Sequence, residues 1–401
     1  MQSIWSVPEF RLYLAARFLG SLALQMVAVA VGWQVYQLTN DPLHLGYVGL
    51  VQFVPNALFV LAGGHVADRF DRRKVMIACL AVEGVAVVAL LAFSLAASSP
   101  LPAIYAVLAV MGGARAFLAP ASQSLLPLLV KGELFPRAVA WNSTAWEAAV
   151  ITGPALGGLL YAFGAGAVYG LAAAMMAAAV GALAGVRTPP AAERKPAAGL
   201  DGVLGGVRYV AAHPILLGAI SLDLFAVLLG GATALLPVYA RDILVTGPFG
   251  LGLLRSAPAV GAAVMAVWLA HHPLERAVGT KLFVAVAVFG AATLVFGLST
   301  SFWLSLAALA VLGASDMVSM VVRQTVVQLN TPDAMRGRVS AVNWLFIGAS
   351  NELGEFESGL TAAWFGTVPA VVIGGLGTLA VTALWAWRFP ALRTVDRLHK
   401  S

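Results

Sequence analysis

The feature that most constrains this chain is a series of long apolar segments that recurs from one end of the sequence to the other. Each segment is long enough to cross a hydrocarbon core roughly 30 Å thick as a helix. Only helices or closed barrels satisfy their backbone hydrogen bonds in lipid, and the alternating pattern of barrel strands is absent. With 60% apolar and 10% charged residues, the sequence predicts an all-α integral membrane protein.

We count twelve predicted spans, which we number in chain order. The first is too long for the apolar region of a signal peptide, so we expect it to be a membrane helix. The segments between the spans leave no room for a soluble domain. The spans cover residues 11–37, 45–66, 74–97, 102–129, 138–163, 166–187, 214–240, 249–270, 281–299, 302–329, 338–363 and 367–388.

The distribution of positive charge predicts the orientation of the chain. If the N-terminus is inside, the cytoplasmic segments carry most of the Lys and Arg residues, and the six opposite loops carry only Arg241. This asymmetry follows the positive-inside rule, so both termini are expected in the cytoplasm. The net charge of +6 then reflects topology and contact with lipid head groups, and no nucleic-acid partner is expected. Cys79 is the only cysteine, which excludes an internal disulfide and a thiolate metal site, and no cofactor is expected.

A hydrophilic stretch over residues 187–214 separates spans one to six from spans seven to twelve. It predicts an N-terminal six-helix bundle over 1–187, a cytoplasmic linker over 188–213, a C-terminal bundle over 214–390 and a tail over 391–401. The segment from Gly199 to Val210 is expected to form a short amphipathic helix on the inner leaflet.

The two halves carry an internal repeat. A shift of 201 residues aligns residues 137–160 with 338–361. Matches at equivalent places in both halves indicate duplicated copies in parallel orientation, related by an axis along the membrane normal. The aligned pairs are Arg137 with Arg338, Asn142 with Asn343, Gly153 with Gly354, and Gly158 with Gly359.

The stretch "GGHVADRFDRRKV" concentrates charge between spans two and three. It resembles the loop signature of the major facilitator superfamily, although Asp71 stands where that signature has glycine. The resemblance covers essentially the whole chain and implies twelve transmembrane helices in two pseudo-symmetric six-helix bundles. The matching residues are Gly64, Asp68, Arg69, Arg72 and Arg73.

Two further motifs resemble exporters of this superfamily. "GPALGG" in span five, formed by Gly153, Pro154, Gly157 and Gly158, is similar to an antiporter signature, and Arg115 is similar to the lone arginine of another. The segment that begins at "MRGRVSAVNW" looks like the branch of enterobactin exporters and macrolide-efflux-like proteins. The resemblance implies export of a siderophore-like or hydrophobic drug-like molecule in exchange for protons. A monomer in the lipid bilayer of a bacterial inner membrane is expected.

Charged groups at membrane depth are costly unless paired or wet, so they are candidates for function. Arg17, Arg115, Asp223 and Asp316 fall on spans one, four, seven and ten, which line the central cavity in the resembling fold. The two aspartates are the preferred proton carriers because burial disfavours a charged carboxylate. Fixed ion pairs that hold the two halves together are the alternative, and for Arg17 so is snorkelling to the inner surface. Neutral hydrogen-bonding groups are added on span one by Gln25 and Gln34.

Span eleven carries a second acidic group. Glu352 and Glu355 share a helical face, whereas Glu357 points away from them. They line a pathway or bind a cationic part of the substrate, or else pair with Arg255 or with helix ends. In span five, Glu147 shares the face of the antiporter motif and is a weaker coupling candidate.

Asp68 lies where span two meets the cytoplasm. We expect it to accept hydrogen bonds from the free N–H groups at the start of span eleven, and so to form a cytoplasmic gate. Plain positive-inside charge is the alternative for the neighbouring arginines. Asp71 either stiffens the turn or supplies a second acid.

Together these features predict a secondary active exporter that works by alternating access between the two halves. A proton-coupled importer or uniporter on the same fold and a non-transporting membrane scaffold or sensor are the alternatives. No enzyme activity is expected, because no Ser–His, Cys–His or metal-ligand group stands at catalytic spacing.

Overall fold

The structure is a computed structural model that describes residues 4–96, 100–130, 132–187, 200–274 and 276–395. The side chain of Asp68 and several side chains at the start of the helix from Asp333 lie outside the described part, as does the linker over 188–199. Within the described residues every regular element is a helix. The predicted all-α membrane class is confirmed.

Six long helices precede the linker. They follow one another with short connections, and Phe70 and Asp71 alone separate the second from the third. Their bounds are α1 Pro8–Thr39, α2 Pro42–Arg69, α3 Arg72–Leu95, α4 Leu101–Leu129, α5 Phe135–Tyr161 and α6 Ala165–Ala184.

A short helix follows the linker and leads into the helices of the second half. The bounds are α7 Leu200–Ala212, α8 Pro214–Leu229, α9 Leu236–Val238, α10 Gly247–His271, α11 Val278–Leu298, α12 Phe302–Leu329, α13 Asp333–Phe365, α14 Thr367–Arg388 and α15 Pro390–Arg393.

In the described residues, ten helical segments are long and apolar enough to cross a membrane. Helices α5 and α13 coincide with predicted spans five and eleven but are not among the ten. The first carries Asn142 and Glu147, and the second carries three glutamates. The count of twelve transmembrane helices therefore stays a prediction.

Span seven is interrupted, although the sequence predicts it from 214 to 240. Helix α8 ends at Leu229, and a 3-10 turn, α9 and a π-helical turn then complete the crossing. Gly230 and Gly231 lower the helical propensity at the break. A Cβ at Gly231 would lie 2.6 Å from the carbonyl oxygen of Gly354 on α13, so the approach of α13 depends on this break.

The helices cluster into two compact units. One comprises Met1–Thr39, Leu50–Ala197 and Gly247–Ser256, and the other comprises Asn40–Gly49, Ala198–Thr246 and Ala257–Ser401. The start of α10 thus clusters with the first half of the chain, and the start of α2 clusters with the second half. The boundaries predicted from the linker remain a prediction.

Helix α7 covers nearly all of the segment expected to be an amphipathic helix. It packs against α8 and α13 in the second unit. A Cβ at Gly206 would lie 2.7 Å from the carbonyl oxygen of Arg338. The helix is therefore held closely against the start of α13.

Glycine contacts support the internal repeat. In the first unit, Gly158 of α5 contacts the carbonyl of Pro248, and its Cβ would lie 3.0 Å from Cα of Gly252. In the second unit, a Cβ at Gly359 of α13 would lie 2.7 Å from Cα of Gly46. Gly46 and Gly252 are 206 residues apart, and Gly158 and Gly359 are 201 apart. Equivalent positions therefore make the same contact in each unit.

A second pair of contacts follows the same rule. A Cβ at Gly153 would lie 3.2 Å from the carbonyl oxygen of Leu22 on α1, and one at Gly354 would lie 3.0 Å from that of Leu228 on α8. Leu22 and Leu228 are again 206 residues apart. Small residues thus let the fifth and eleventh spans approach their neighbours in the same way.

Candidate functional site

The first unit contains a cluster of charged side chains at membrane depth. Glu83 of α3 is fully buried, and neither carboxylate oxygen has a hydrogen-bond partner. It interacts electrostatically with Arg115 of α4 and with Arg17 of α1. Three helices therefore bring two cations and one acid into the interior of this unit.

Helix geometry explains why these residues share a level. At about 1.5 Å per residue, Glu83 lies roughly 16 Å from the start of α3, and Arg115 lies roughly 21 Å from the end of α4. Helices α3 and α4 follow one another along the chain and pack side by side. Both side chains therefore fall near the middle of their helices.

Arg17 lies over an aromatic ring. Its Cζ atom is 5.8 Å from the ring centroid of Trp146 on α5, and its Nε atom is buried without a hydrogen-bond partner. A guanidinium group at this distance gains a cation–π interaction. This contact and the charge of Glu83 hold Arg17 between α3 and α5.

Polar side chains also join α1 to its neighbours on either side of this cluster. One turn before Arg17, the hydroxyl of buried Tyr13 lies 2.9 Å from Oγ of Ser122 on α4. Farther along α1, the hydroxyl of Tyr169 donates to Oε1 of Gln34 over 2.6 Å. The predicted polar group Gln34 is therefore engaged inside the unit.

The antiporter motif forms a face without side-chain bulk. A Cβ at Gly153 would lie 2.5 Å from Cβ of Gln25, and one at Gly157 would lie 2.9 Å from Cα of Met26. Next to them, the carbonyl of Pro154 contacts Gly252 at the start of α10. The motif thus packs backbone to backbone against both α1 and α10, as a small-residue interface requires.

Asp71 caps a helix in the cytoplasmic motif. Its carboxylate accepts hydrogen bonds from the backbone N–H groups of Arg73 at 2.9 Å and of Lys74 at 3.4 Å. An aspartate at this position satisfies orphan donors and meets the positive end of the helix dipole. The residue that departs from the signature therefore fixes the turn between α2 and α3.

Arg73 binds the opposite end of another helix. Its Nε donates to the carbonyl of Leu183 over 2.9 Å, and its Nη2 donates to the carbonyl of Ala184. These are the last carbonyls of α6, where a cation also meets the negative end of the dipole. Its neighbour Arg72 is buried, whereas Arg69 is exposed.

Gly64 begins the motif with space around it, since a Cβ there would meet no heavy atom within 4 Å. The side chain of Asp68 lies outside the described residues, as do those of Asp333 and Arg336 at the start of α13. The predicted gate contact between Asp68 and span eleven stays a prediction.

In the second unit, Asp223 of α8 forms an ion pair with Arg323 of α12. Only 6% of Asp223 and 3% of Arg323 is exposed. A pair this buried is costly to break, because either partner alone would be an uncompensated charge. Asp223 thus takes part in an ion pair within one unit, whereas the alternative considered from the sequence was ion pairs between the two halves.

Asp316 lies seven residues before Arg323 on α12 and is partly buried. Seven residues are nearly two helical turns, so the two side chains share a face of the helix. The predicted role of Asp316 as a proton carrier in the cavity stays a prediction.

The acids of α13 have different surroundings. Glu357 accepts a hydrogen bond from Thr361 on its own helix over 2.7 Å. Glu355 reaches α2, where a Cβ at Gly49 would lie 2.8 Å from its Oε2 atom. Glu352 is partly buried, and in α5 Glu147 is also partly buried.

Sequence reasoning overlooked Glu83 and Arg323. The charged candidates on the cavity-lining spans one, four, seven and ten do not include any residue of span three. A lone glutamate in the middle of an apolar span was a sufficient signal for Glu83. Arg323 lies on span ten, six residues from its predicted end, and its position in the sequence indicates a residue near the inner surface.

Comparison with known proteins places the chain among transporters. A family model described as Major Facilitator Superfamily matches residues 13–355. The enterobactin exporter EntS of Escherichia coli O1:K1 is 29% identical over 381 residues, which cover 93% of this chain and 86% of that protein. These findings agree with the resemblance that the motifs indicate.

Two solved structures share the fold. A bacterial homologue of the iron transporter ferroportin, in its inward-facing state, is 17% identical with a TM-score of 0.72, over 98% of this chain and 100% of that one. The transporter PepTSo is 12% identical with a TM-score of 0.74, over 97% and 99% of the two chains. At these identities the likeness concerns the fold.

The superfamily consists of transporters of small molecules and not of enzymes, which confirms the prediction of a transporter without enzymatic activity. The apolar helices, the two units with repeated glycine contacts, the motifs and the family match agree with one another. This multi-pass membrane protein belongs to the Major Facilitator Superfamily.

Proposed function

We propose that this protein exports a small organic molecule across a bacterial inner membrane in exchange for protons. The substrate is of the siderophore or hydrophobic-drug class, and both termini lie in the cytoplasm. The observation that carries the proposal is the antiporter motif on α5, whose glycines pack against the backbone of α1 and α10. The name of the relative from E. coli, an enterobactin exporter, supports the direction and the substrate class.

Proton exchange in this proposal uses a carboxyl group inside the second unit. Asp316 is the preferred carrier, because Asp223 is already engaged by Arg323. The ion pair between Asp223 and Arg323 fixes α8 to α12 and so gives the unit a rigid frame. The protein works as a monomer in the bilayer, and Arg115 favours the release of protons from nearby acids by stabilising their charged forms.

The cytoplasmic motif closes the inner side in this proposal. Asp71 and Arg73 fix the turn after α2 through contacts to α3 and α6. A fixed turn holds the end of α2, and with it Asp68, in position to accept from the start of α13. Gate closure then alternates with opening of the outer side, in the manner of alternating access.

Accumulation in cells tests the proposal. Cells with and without the gene are loaded with enterobactin or with a hydrophobic dye, with and without a protonophore. The gene is expected to lower the intracellular amount, and the protonophore is expected to abolish this difference. Higher amounts in cells with the gene would support an importer instead, and equal amounts throughout would contradict transport of these compounds.

A further inference from the structure

We propose that Glu83 is a proton-binding site of the transport cycle, with Arg115 and Arg17 as its internal counterions. The inference rests on the proposed function, proton-coupled transport, and adds a carrier in the first unit. One proton moves between water and a carboxylate oxygen of Glu83. When the proton leaves, the carboxylate is neutralised by the guanidinium groups.

The burial of Glu83 supports this assignment. The residue is 0% exposed, and both carboxylate oxygens are buried without a hydrogen-bond partner. A charged carboxylate in such a place loses hydration without replacement, whereas a neutral acid loses much less. A buried side chain without hydrogen-bond partners is therefore better suited to the neutral, protonated form of Glu83.

The nearby arginines can stabilise the other form of Glu83, the charged carboxylate. Arg115 and Arg17 interact with Glu83 through their charge, yet neither forms an ion pair or a hydrogen bond with it. Arg17 instead lies over the ring of Trp146. If either guanidinium moved into contact with Glu83, the site would become an ion pair, so α1 and α4 offer the acid two states that differ by one proton.

Asp223 in the second unit illustrates the contrast. It is also buried, with 6% of its surface exposed, but Arg323 contacts it directly. A buried acid that already has its cation gains little from a proton. Of Glu83 and Asp223, only Glu83 has cations that act on it through their charge without direct contact.

Among the described residues, the charges that act on Glu83 are those of Arg115 and Arg17; other ionisable groups on the neighbouring helices have partners of their own or lie on the same helix. On its own helix, Cys79 lies one turn away and interacts with it. On α1, Tyr13 is bound to Ser122 and interacts with Arg17. Helix α6 packs against both α1 and α3, and its Tyr169 donates to Gln34 on α1. Arg115 and Arg17 are therefore the main charged groups whose interaction with Glu83 changes when Glu83 gains or loses a proton.

Infrared difference spectroscopy on the purified protein tests the site without a substrate. The wild type is expected to show a protonated-carboxyl band that disappears as the pH is raised. Glu83→Gln is expected to lose the part of this band that Glu83 contributes, and the matched control Glu9→Gln, in a partly exposed acid of the same unit, is expected to keep it. The same pH-dependent spectrum in Glu83→Gln and in the wild type would overturn the inference.

A transport assay separates this inference from the proposed function. In vesicles under a pH gradient, Glu83→Gln is expected to accumulate no more enterobactin than empty vesicles, while exchange of enterobactin down its own gradient continues. Glu83→Asp, which keeps an acid, is expected to restore part of the coupling and covers the case in which Glu83→Gln fails to fold. Coupled transport by the wild type and equally by Glu83→Gln would refute the role of Glu83 alone, whereas an uncoupled wild type would refute the proposed function.

Discussion

Alanine at Gly158 tests whether the antiporter motif is an interface between backbones. The added methyl group would meet the carbonyl of Pro248 and would lie 3.0 Å from Cα of Gly252. Carbon atoms in contact prefer about 3.5–4.0 Å, so α5 and α10 must separate by about 0.5–1 Å. Backbone atoms cannot turn aside as a flexible side chain can, and the helices must move.

The expected cost follows from overpacking. Inserting a methyl group into a closely packed interface costs about 1–3 kcal/mol. Gly181 on α6 provides a matched control, because a Cβ there would meet no heavy atom within 4 Å. Gly181→Ala is therefore expected to change the free energy of unfolding by less than about 0.5 kcal/mol. The second unit offers the same comparison between Gly359→Ala and Gly348→Ala.

Thermal unfolding of the purified variants in detergent measures the difference, and transport in vesicles shows its functional consequence. Gly158→Ala and Gly359→Ala should both unfold at lower temperature than their controls and transport less. If Gly158→Ala were as stable and active as Gly181→Ala, the motif would not be a tight interface. If only one of the two substitutions lowered the unfolding temperature and transport, the equivalence of the two units would not extend to their energetics.

Three further predictions concern the charged residues. Arg323→Met should lower the free energy of unfolding by about 3–5 kcal/mol, because it leaves Asp223 buried without its cation. Adding Asp223→Asn should recover most of this loss in the same unfolding assay. If the two substitutions instead destabilised additively, the ion pair would be contradicted. Asp71→Ala should cost about 1 kcal/mol through the lost helix cap, whereas Asp71→Ser should retain most of it, as measured by denaturation; equal stability of both would contradict the cap. Arg73→Met should increase amide hydrogen exchange at the end of α6, where it removes two donors, and unchanged exchange there would refute this contact.

Much of the fold could be predicted because few backbone structures can cross a lipid bilayer. The apolar runs predict the helices, and the glycine repeat predicts the equivalence that the contacts of Gly158 and Gly359 support. The break after Leu229 was harder to foresee, because Gly–Gly pairs are common in membrane helices. It becomes clear only when Gly231 is seen against Gly354 on α13.

The candidate site was predicted less completely, since spacing along one helix does not identify partners on another. Asp71 before a new helix carries a readable cap signal. The pairing of Arg73 with the end of α6, by contrast, joins residues 110 positions apart and depends on tertiary packing. Similarly, Asp223 could be recognised as a buried acid, but its ion pair with Arg323 required the structure.

The central claim, proton-coupled export, is tested most directly in vesicles that contain the purified protein. A pH gradient is imposed, and the movement of enterobactin and of protons is recorded together. The account predicts accumulation of enterobactin against its gradient, matched by protons that move in the opposite direction and abolished by a protonophore. Accumulation without proton movement, or no movement of enterobactin or of a hydrophobic dye under either sign of the gradient, would contradict it.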